Sequence, residues 1–219
     1  MKTILYISAS ARSFSENGGE HQSISRALGY EFLSEFKKHN NQVEVIHRDL
    51  SINPPSFIDQ AFIAASFSRG ELSESDKLAL EESDRLIKEV ELADIIVISS
   101  PMYNYGMPAV LKAWFDQVIR INKTFSFDLA RGDNPLRPIL SGKEVVLLSS
   151  WGEFNFRKGE EKSGFNHLSN HIEQLAPYMG ASHLHEIASE YEEFGDERHE
   201  ASKVNAINEA SLLAKRLAQ

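Results

Sequence analysis

Three short segments concentrate hydroxyl, amide and aromatic side chains. They are Ser8-Ala9-Ser10, with Ser23 and Ser25 further on; Ser99-Ser100-Pro101-Met102-Tyr103-Asn104-Tyr105-Gly106; and Ser149-Ser150-Trp151-Gly152-Glu153-Phe154. Serine hydroxyls beside a helix start can hold a phosphate dianion, because backbone N–H groups point outward there and the helix dipole adds roughly 0.3–1 kcal/mol. An asparagine amide such as that of Asn104 answers either a donor or an acceptor. Met102 and Tyr103 offer flat, polarizable contact area, and Gly152 permits close approach of a main chain. Each element also has a plainer reading: serine is a common cap and turn residue, Tyr and Asn are ordinary in turns, and Trp151 suits a core.

Position favours the chemical reading. Each segment closes an apolar, β-branched run: "TILYIS" (3–8), "DIIVISS" (94–100) and "EVVLLSS" (144–150), as expected of strands buried on both faces. "QVEVIHRDL" (42–50) and "ASHLHEIA" (181–188) read as two further strands. Helices are expected over 23–38, where Ile24, Leu28, Phe32 and Phe36 share a face, and over 75–93, with Ser75 as cap and Leu78, Leu80, Leu86, Ile87 and Val90 as the apolar side. Others are expected after Pro108, over 166–180 with Gly180 as the stop, and over 201–218. Residues 56–76 fit either a short amphipathic helix or a segment lining a site. The acidic run over 189–202 reads as a solvated loop.

Five strands alternating with helices imply one α/β domain over 1–219: a five-stranded parallel sheet of flavodoxin-like order 2-1-3-4-5, with helices on both faces. Ligands of such sheets sit beyond the carboxyl ends of the strands, where the order reverses. All three hydroxyl-rich segments then fall on that edge. A flavin mononucleotide (FMN) matches what they offer. Ser10, Ser23, Ile24 (through its backbone) and Ser25 would take the phosphate, and residues 102–105 would form a wall for the ring.

The 219 residues carry a formal net charge of −9, which disfavours nucleic acid as a partner. The chain contains no cysteine, which excludes disulfides, thiol nucleophiles and thiolate metal sites. The apolar stretch at the N-terminus is too short for a signal peptide's core and no long membrane span follows, so a cytoplasmic location is expected. There is no G-x-G-x-x-G after the first strand, no phosphate-loop lysine motif, and no acidic pair for Mg²⁺. His183 and His185 alternate on a strand and His167 and His171 lie four apart; neither pair has a third ligand in register, so no metal is expected.

These residues are familiar together. With "ILYISAS", "SISRAL", "NPP", "TFSF", "VVLLSSWG" and, most specifically, P-M-Y-N followed by P-x-x-L-K-x-W-F-D, the chain resembles the FMN-dependent NADH:quinone oxidoreductases and azoreductases. The resemblance implies FMN contacts at Ser10, Ser23-Ile24-Ser25, Met102 to Tyr105, and Ser150, Trp151, Gly152 and Glu153. It places Phe127 near the substrate. It further implies a ping-pong reaction in which NADH or NADPH reduces the flavin at N5 and a quinone or aromatic azo compound reoxidises it. No residue of the chain is then an obligatory catalyst. A homodimer is implied as well, in keeping with the broad apolar face of Val110, Leu111, Trp114, Phe115, Val118 and Ile119. Two features depart from the family: the insertion over 12–21 lengthens the phosphate loop, and Gly152-Glu153 replaces a glycine pair. The alternative reading is a flavodoxin-type electron carrier that turns over no small molecule.

Overall fold

The computed structural model describes residues 1–18, 21–68 and 70–219; Gly19 and Glu20 of the 12–21 insertion, and Arg69 of the 56–76 segment, lie outside the described residues. Five parallel strands form the central sheet: β1 (Lys2–Ser8), β2 (Val43–Asp49), β3 (Ile95–Pro101), β6 (Lys143–Ser150) and β7 (Ala181–Ser189). Their order, β2-β1-β3-β6-β7, is the expected 2-1-3-4-5, with a short antiparallel hairpin of β4 (Phe125–Phe127) and β5 (Leu136–Pro138) inserted between the third and fourth sheet strands. The order reverses at β1, so the crevice between β1 and β3 is the expected place for a ligand.

The helices are α1 (Ile24–His39), α2 (Gln60–Ser66), α3 (Glu74–Leu92), α4 (Ala109–Val118), α5 (Ser169–Leu175) and α6 (Glu197–Ala218). One core cluster joins one sheet face to α3, α4 and α5 through Leu86, Val90, Trp114, Phe115 and Ile172. The other joins the opposite face to α1 and α6 through Phe32, Phe36, Ala210 and Ala214. All seven residues of β3 are buried, which explains its continuous apolar run.

Several element edges differ from expectation, each for a local reason. The cap of α3 is Ser73, not Ser75: the Ser73 hydroxyl accepts the Asp76 amide while the Asp76 carboxylate accepts the Ser73 amide. Leu78 is 72% exposed and off the apolar face, while Leu80, Leu86, Ile87 and Val90 are buried. The ambiguous 56–76 segment contains α2, capped by Asp59, with Phe62 and Ala65 packed on Leu80 of α3. Pro177 opens a single 3₁₀ turn that continues α5 to Gly180, whose φ of 88° ends it. The last helix starts at Glu197, because Asp196 accepts amides from Arg198 and His199. On α4, Leu111, Trp114, Phe115 and Val118 are buried within the core, while Val110 and the following Ile119 are half-buried at its margin.

Candidate cofactor site

Each of the three hydroxyl-rich segments leaves the sheet at the same edge, and backbone hydrogen bonds tie them together past the last strand residues. The Ala9 amide donates to Ser99 O at 2.9 Å, Met102 N to Ser150 O at 2.9 Å, and Trp151 N to Ser189 O at 2.8 Å. The zipper runs on into the acidic segment: Glu192 N donates to Trp151 O at 3.1 Å, Glu193 N to Gly152 O at 3.0 Å, and Tyr191 N to Glu153 O at 3.1 Å. The run read as a solvated loop is therefore a fourth wall of the site.

Ser10, Ser23, Ile24, Met102, Tyr103, Ser150 and Gly152 line one cleft of about 80 Å³. Pro101, Arg12, Glu192 and Glu193 complete it. At one end Ser23 caps α1, its hydroxyl accepting the Arg26 amide at 3.3 Å and lying 3.3 Å from the Ser25 hydroxyl. The amides of Ile24 and Ser25 begin the helix and have no acceptor within it. Ser25 itself is fully buried beneath the cleft surface. Met102 and Tyr103 line the same cleft, the Tyr103 hydroxyl accepting the Ala11 amide at 3.3 Å, and at Gly152 an added Cβ would come within 2.6 Å of Glu193 Cγ.

The remaining predicted residues stand around this cleft rather than in its lining. Trp151 is fully buried, packed edge-on against Phe156 with ring centroids 5.7 Å apart, so it supports the wall from behind. Asn104 and Tyr105 form a tight turn closed by reciprocal Tyr103–Gly106 backbone bonds of 2.9 and 3.0 Å. Both have left-handed φ, 48° and 65°, which asparagine tolerates and tyrosine seldom adopts. Tyr105 is held there from several sides: its hydroxyl donates to Glu153 at 3.1 Å and its carbonyl accepts the His167 amide at 2.9 Å. Glu153 also pairs with Lys162; the hydrogen bonds from Lys162 and Tyr105 hold its carboxyl below the usual range. Phe127 lies apart, on β4, lining a separate cavity with Phe67, Ile121, Phe125 and Leu136.

Sequence reasoning passed over the residue that anchors the Ser10 and α1 side of the cleft. Arg26 is 9% exposed, and it donates to both oxygens of Asp49 at 2.6 and 2.8 Å, to Ser10 O at 2.8 Å, to Ser8 Oγ at 3.1 Å and to Ser51 Oγ at 2.8 Å. One guanidinium thus clamps the ends of β1 and β2 to the first turn of α1. Nothing local signals this, since an arginine at a third helical position ordinarily points to solvent. Beneath it, the buried Tyr6 hydroxyl pairs with Ser99 Oγ at 3.0 Å.

The histidine pairs hold no metal arrangement. His183 and His185 bond opposite oxygens of Glu144 on the neighbouring strand, at 2.9 and 2.7 Å. Among the described residues no group of three His, Cys, Asp or Glu side chains is placed to hold an ion. Nor is any described helix long and apolar enough to cross a membrane.

The chemistry of the cleft lining suits a phosphorylated aromatic cofactor. Its lining combines serine hydroxyls and first-turn amides of α1 with the Met102 thioether, the Tyr103 ring and Gly152. Known proteins agree with that chemistry. Residues 2–212 match the family described as having the flavodoxin-like fold. An FMN-dependent NADH:quinone oxidoreductase 2 of Colwellia psychrerythraea is 53% identical over 99% of this chain and 100% of its own length. Its namesake in Idiomarina loihiensis is 50% identical over 99% of this chain and 91% of its own. In three dimensions, an azoreductase of Bacillus anthracis superposes with a TM-score of 0.84 at 20% identity, covering 99% of this chain and all of the other. With that sequence identity over its whole length and the cleft in place, the chain belongs to the FMN-dependent NADH:quinone oxidoreductases of the flavodoxin-like fold.

Proposed function

We propose that this chain is an FMN-dependent enzyme that carries two electrons from NADH to quinones and to aromatic azo compounds, in a ping-pong sequence where donor and acceptor use one face in turn. The observation that carries the reading is the convergence of Ser10, the Ser23-capped start of α1, Met102, Tyr103, Ser150 and Gly152 on one cleft at the reversal point of the sheet. FMN, when bound, supplies the two-electron redox chemistry. The chain's own residues bind and orient. Ser10, Ser23 and the Ile24 and Ser25 amides would receive the phosphate, in a turn made rigid by Arg26. Met102 and Tyr103 would flank the ring, with the Asn104 amide at its polar edge. Trp151 and Phe156 would keep water from the wall behind them.

No side chain is assigned as a general acid or base. The full-length relatives, by name, turn over quinones, which supports an enzyme over a flavodoxin-type carrier. The test is direct: purified protein should be yellow, bleach on adding NADH, and recover its colour with a quinone. A carrier would not be reduced by NADH alone. Steady-state rates with NADH and NADPH, against a quinone panel and one azo dye, assign the donor and acceptor.

A homodimer is part of the same proposal. Ile58, Ile63, Phe67, Phe127 and Leu136 are 38–61% exposed, and with Phe115 and Ile119 at the α4 side they surround two adjoining cavities on one side of the molecule. Large apolar side chains grouped in this way commonly mark an interface.

A further inference from the structure

The cleft has an electrostatic inconsistency. The carboxylates of Glu192 and Glu193 line it, in a chain of net charge −9, yet the ligand proposed for it carries a phosphate dianion. A nearby cation would offset this repulsion beyond what the α1 amides and serine hydroxyls supply. Arg26 is committed: its guanidinium is buried and holds Asp49, Ser8, Ser10 and Ser51 together. Lys162 is paired with Glu153 and lies over the Phe154 ring. Among the described residues, Arg12 is the one basic side chain that lines the cleft.

Arg12 is rooted at the phosphate end, its backbone amide donating to Ser10 Oγ at 3.2 Å. Its guanidinium pairs with Glu192 across the mouth, and the two side chains are 51% and 26% exposed. Such a pair is held weakly, because water competes for both partners. A guanidinium also matches a phosphate better than a single carboxylate, since its fork of donors can engage two oxygens of a doubly charged group.

We propose that Arg12 is an exchangeable anion ligand for the FMN phosphate: Glu192 holds it across the cleft when the phosphate is absent and releases it to the phosphate on binding. Glu192 is then a competitor that sets how tightly the cofactor is kept. The proposal rests on the FMN reading of this cleft. Glu192→Gln removes the competitor and leaves the backbone zipper to Trp151 intact. Arg12→Gln removes the ligand.

The experiment strips flavin from the full-length protein and titrates it with FMN and with riboflavin, which lacks the phosphate, following flavin fluorescence. The unaltered chain, R12K, R12Q and E192Q are compared, with thermal melts establishing that each is folded. R12Q should weaken FMN binding by about tenfold or more, as loss of a charge-assisted hydrogen bond does, and leave riboflavin binding within about twofold. R12K should fall between R12Q and the unaltered chain for FMN. E192Q should tighten FMN several-fold and change riboflavin little. FMN affinity unchanged in R12Q, or FMN and riboflavin weakened equally, overturns the phosphate contact. E192Q that fails to bind FMN more tightly overturns the exchange. An unaltered chain that takes up neither flavin brings down the FMN reading itself, an outcome distinct from the other two.

Discussion

Arg26 and Asp49 meet in a two-pronged ion pair, 2.6 and 2.8 Å, between the first turn of α1 and the last residue of β2. Both side chains are nearly buried, 11% and 13% exposed. Burial works against the Asp49 charge, but the hydrogen bonds from Arg26 and Ser51 outweigh it and hold the carboxyl well below the usual aspartate range. A carboxyl depressed in the folded state contributes stability above its unfolded pKa, and that contribution is lost as pH falls through the folded one. The pair therefore acts in full at neutral pH and fails only in acid, below about pH 4. Asp49→Asn should cost about 3 kcal/mol at pH 7, because it leaves a buried guanidinium unpaired. Urea melts at pH 7 and pH 3 should show a smaller pH effect in the variant than in the unaltered chain.

Gly29 is fixed by its neighbour across the core. A Cβ there would lie 2.7 Å from Tyr6 Cζ and closer still to its hydroxyl. Alanine gains about 1 kcal/mol of helix propensity over glycine, but overpacking a buried ring costs about 1–3 kcal/mol. Gly29→Ala should thus lower the melting temperature, and Tyr6→Phe in the same chain should recover part of the loss by removing the nearest atom. A variant as stable as the unaltered chain would mean that Tyr6 moves freely, against its bond to Ser99.

Asn104 has two separable features, a left-handed backbone and an exposed side-chain amide. Asn104→Ala removes the amide and strains the turn, at a cost of roughly 1–3 kcal/mol; Asn104→Gly removes the amide and keeps the turn. Both should reduce flavin retention if the amide meets the ring. Normal flavin content in the glycine variant and reduced content in the alanine variant would assign the residue to the turn alone.

Much of this was readable in the residues. The three central strands showed as β-branched, apolar runs because helices cover both of their faces. The serine and Tyr-Asn-Tyr segments showed because polar groups crowd the ends of buried strands. What could not be read depends on partners distant in the chain. Arg26 is a clamp only because Asp49 and Ser51 lie across from it. Glu192 and Glu193 reach the cleft only because their amides bond Trp151 and Gly152, some forty residues earlier. The Ser73 cap was missed in favour of Ser75, since both precede the same apolar pattern and only the reciprocal bonds with Asp76 distinguish them.

The quaternary proposal has its own check. Sedimentation at micromolar concentration should give twice the chain mass, and Phe67→Glu or Phe127→Glu, at exposed positions, should shift the species towards monomer. A monomer in the unaltered chain would refute the dimer and leave the cleft reading untouched.

The most direct measurement is equilibrium titration of the flavin-free protein with FMN, followed by anaerobic addition of NADH. Saturation at one flavin per chain, with an affinity on the order of 1 µM or tighter, and loss of the flavin's visible absorbance on adding NADH are expected. A folded protein that leaves FMN free in solution would contradict the convergence of the three segments on a cofactor.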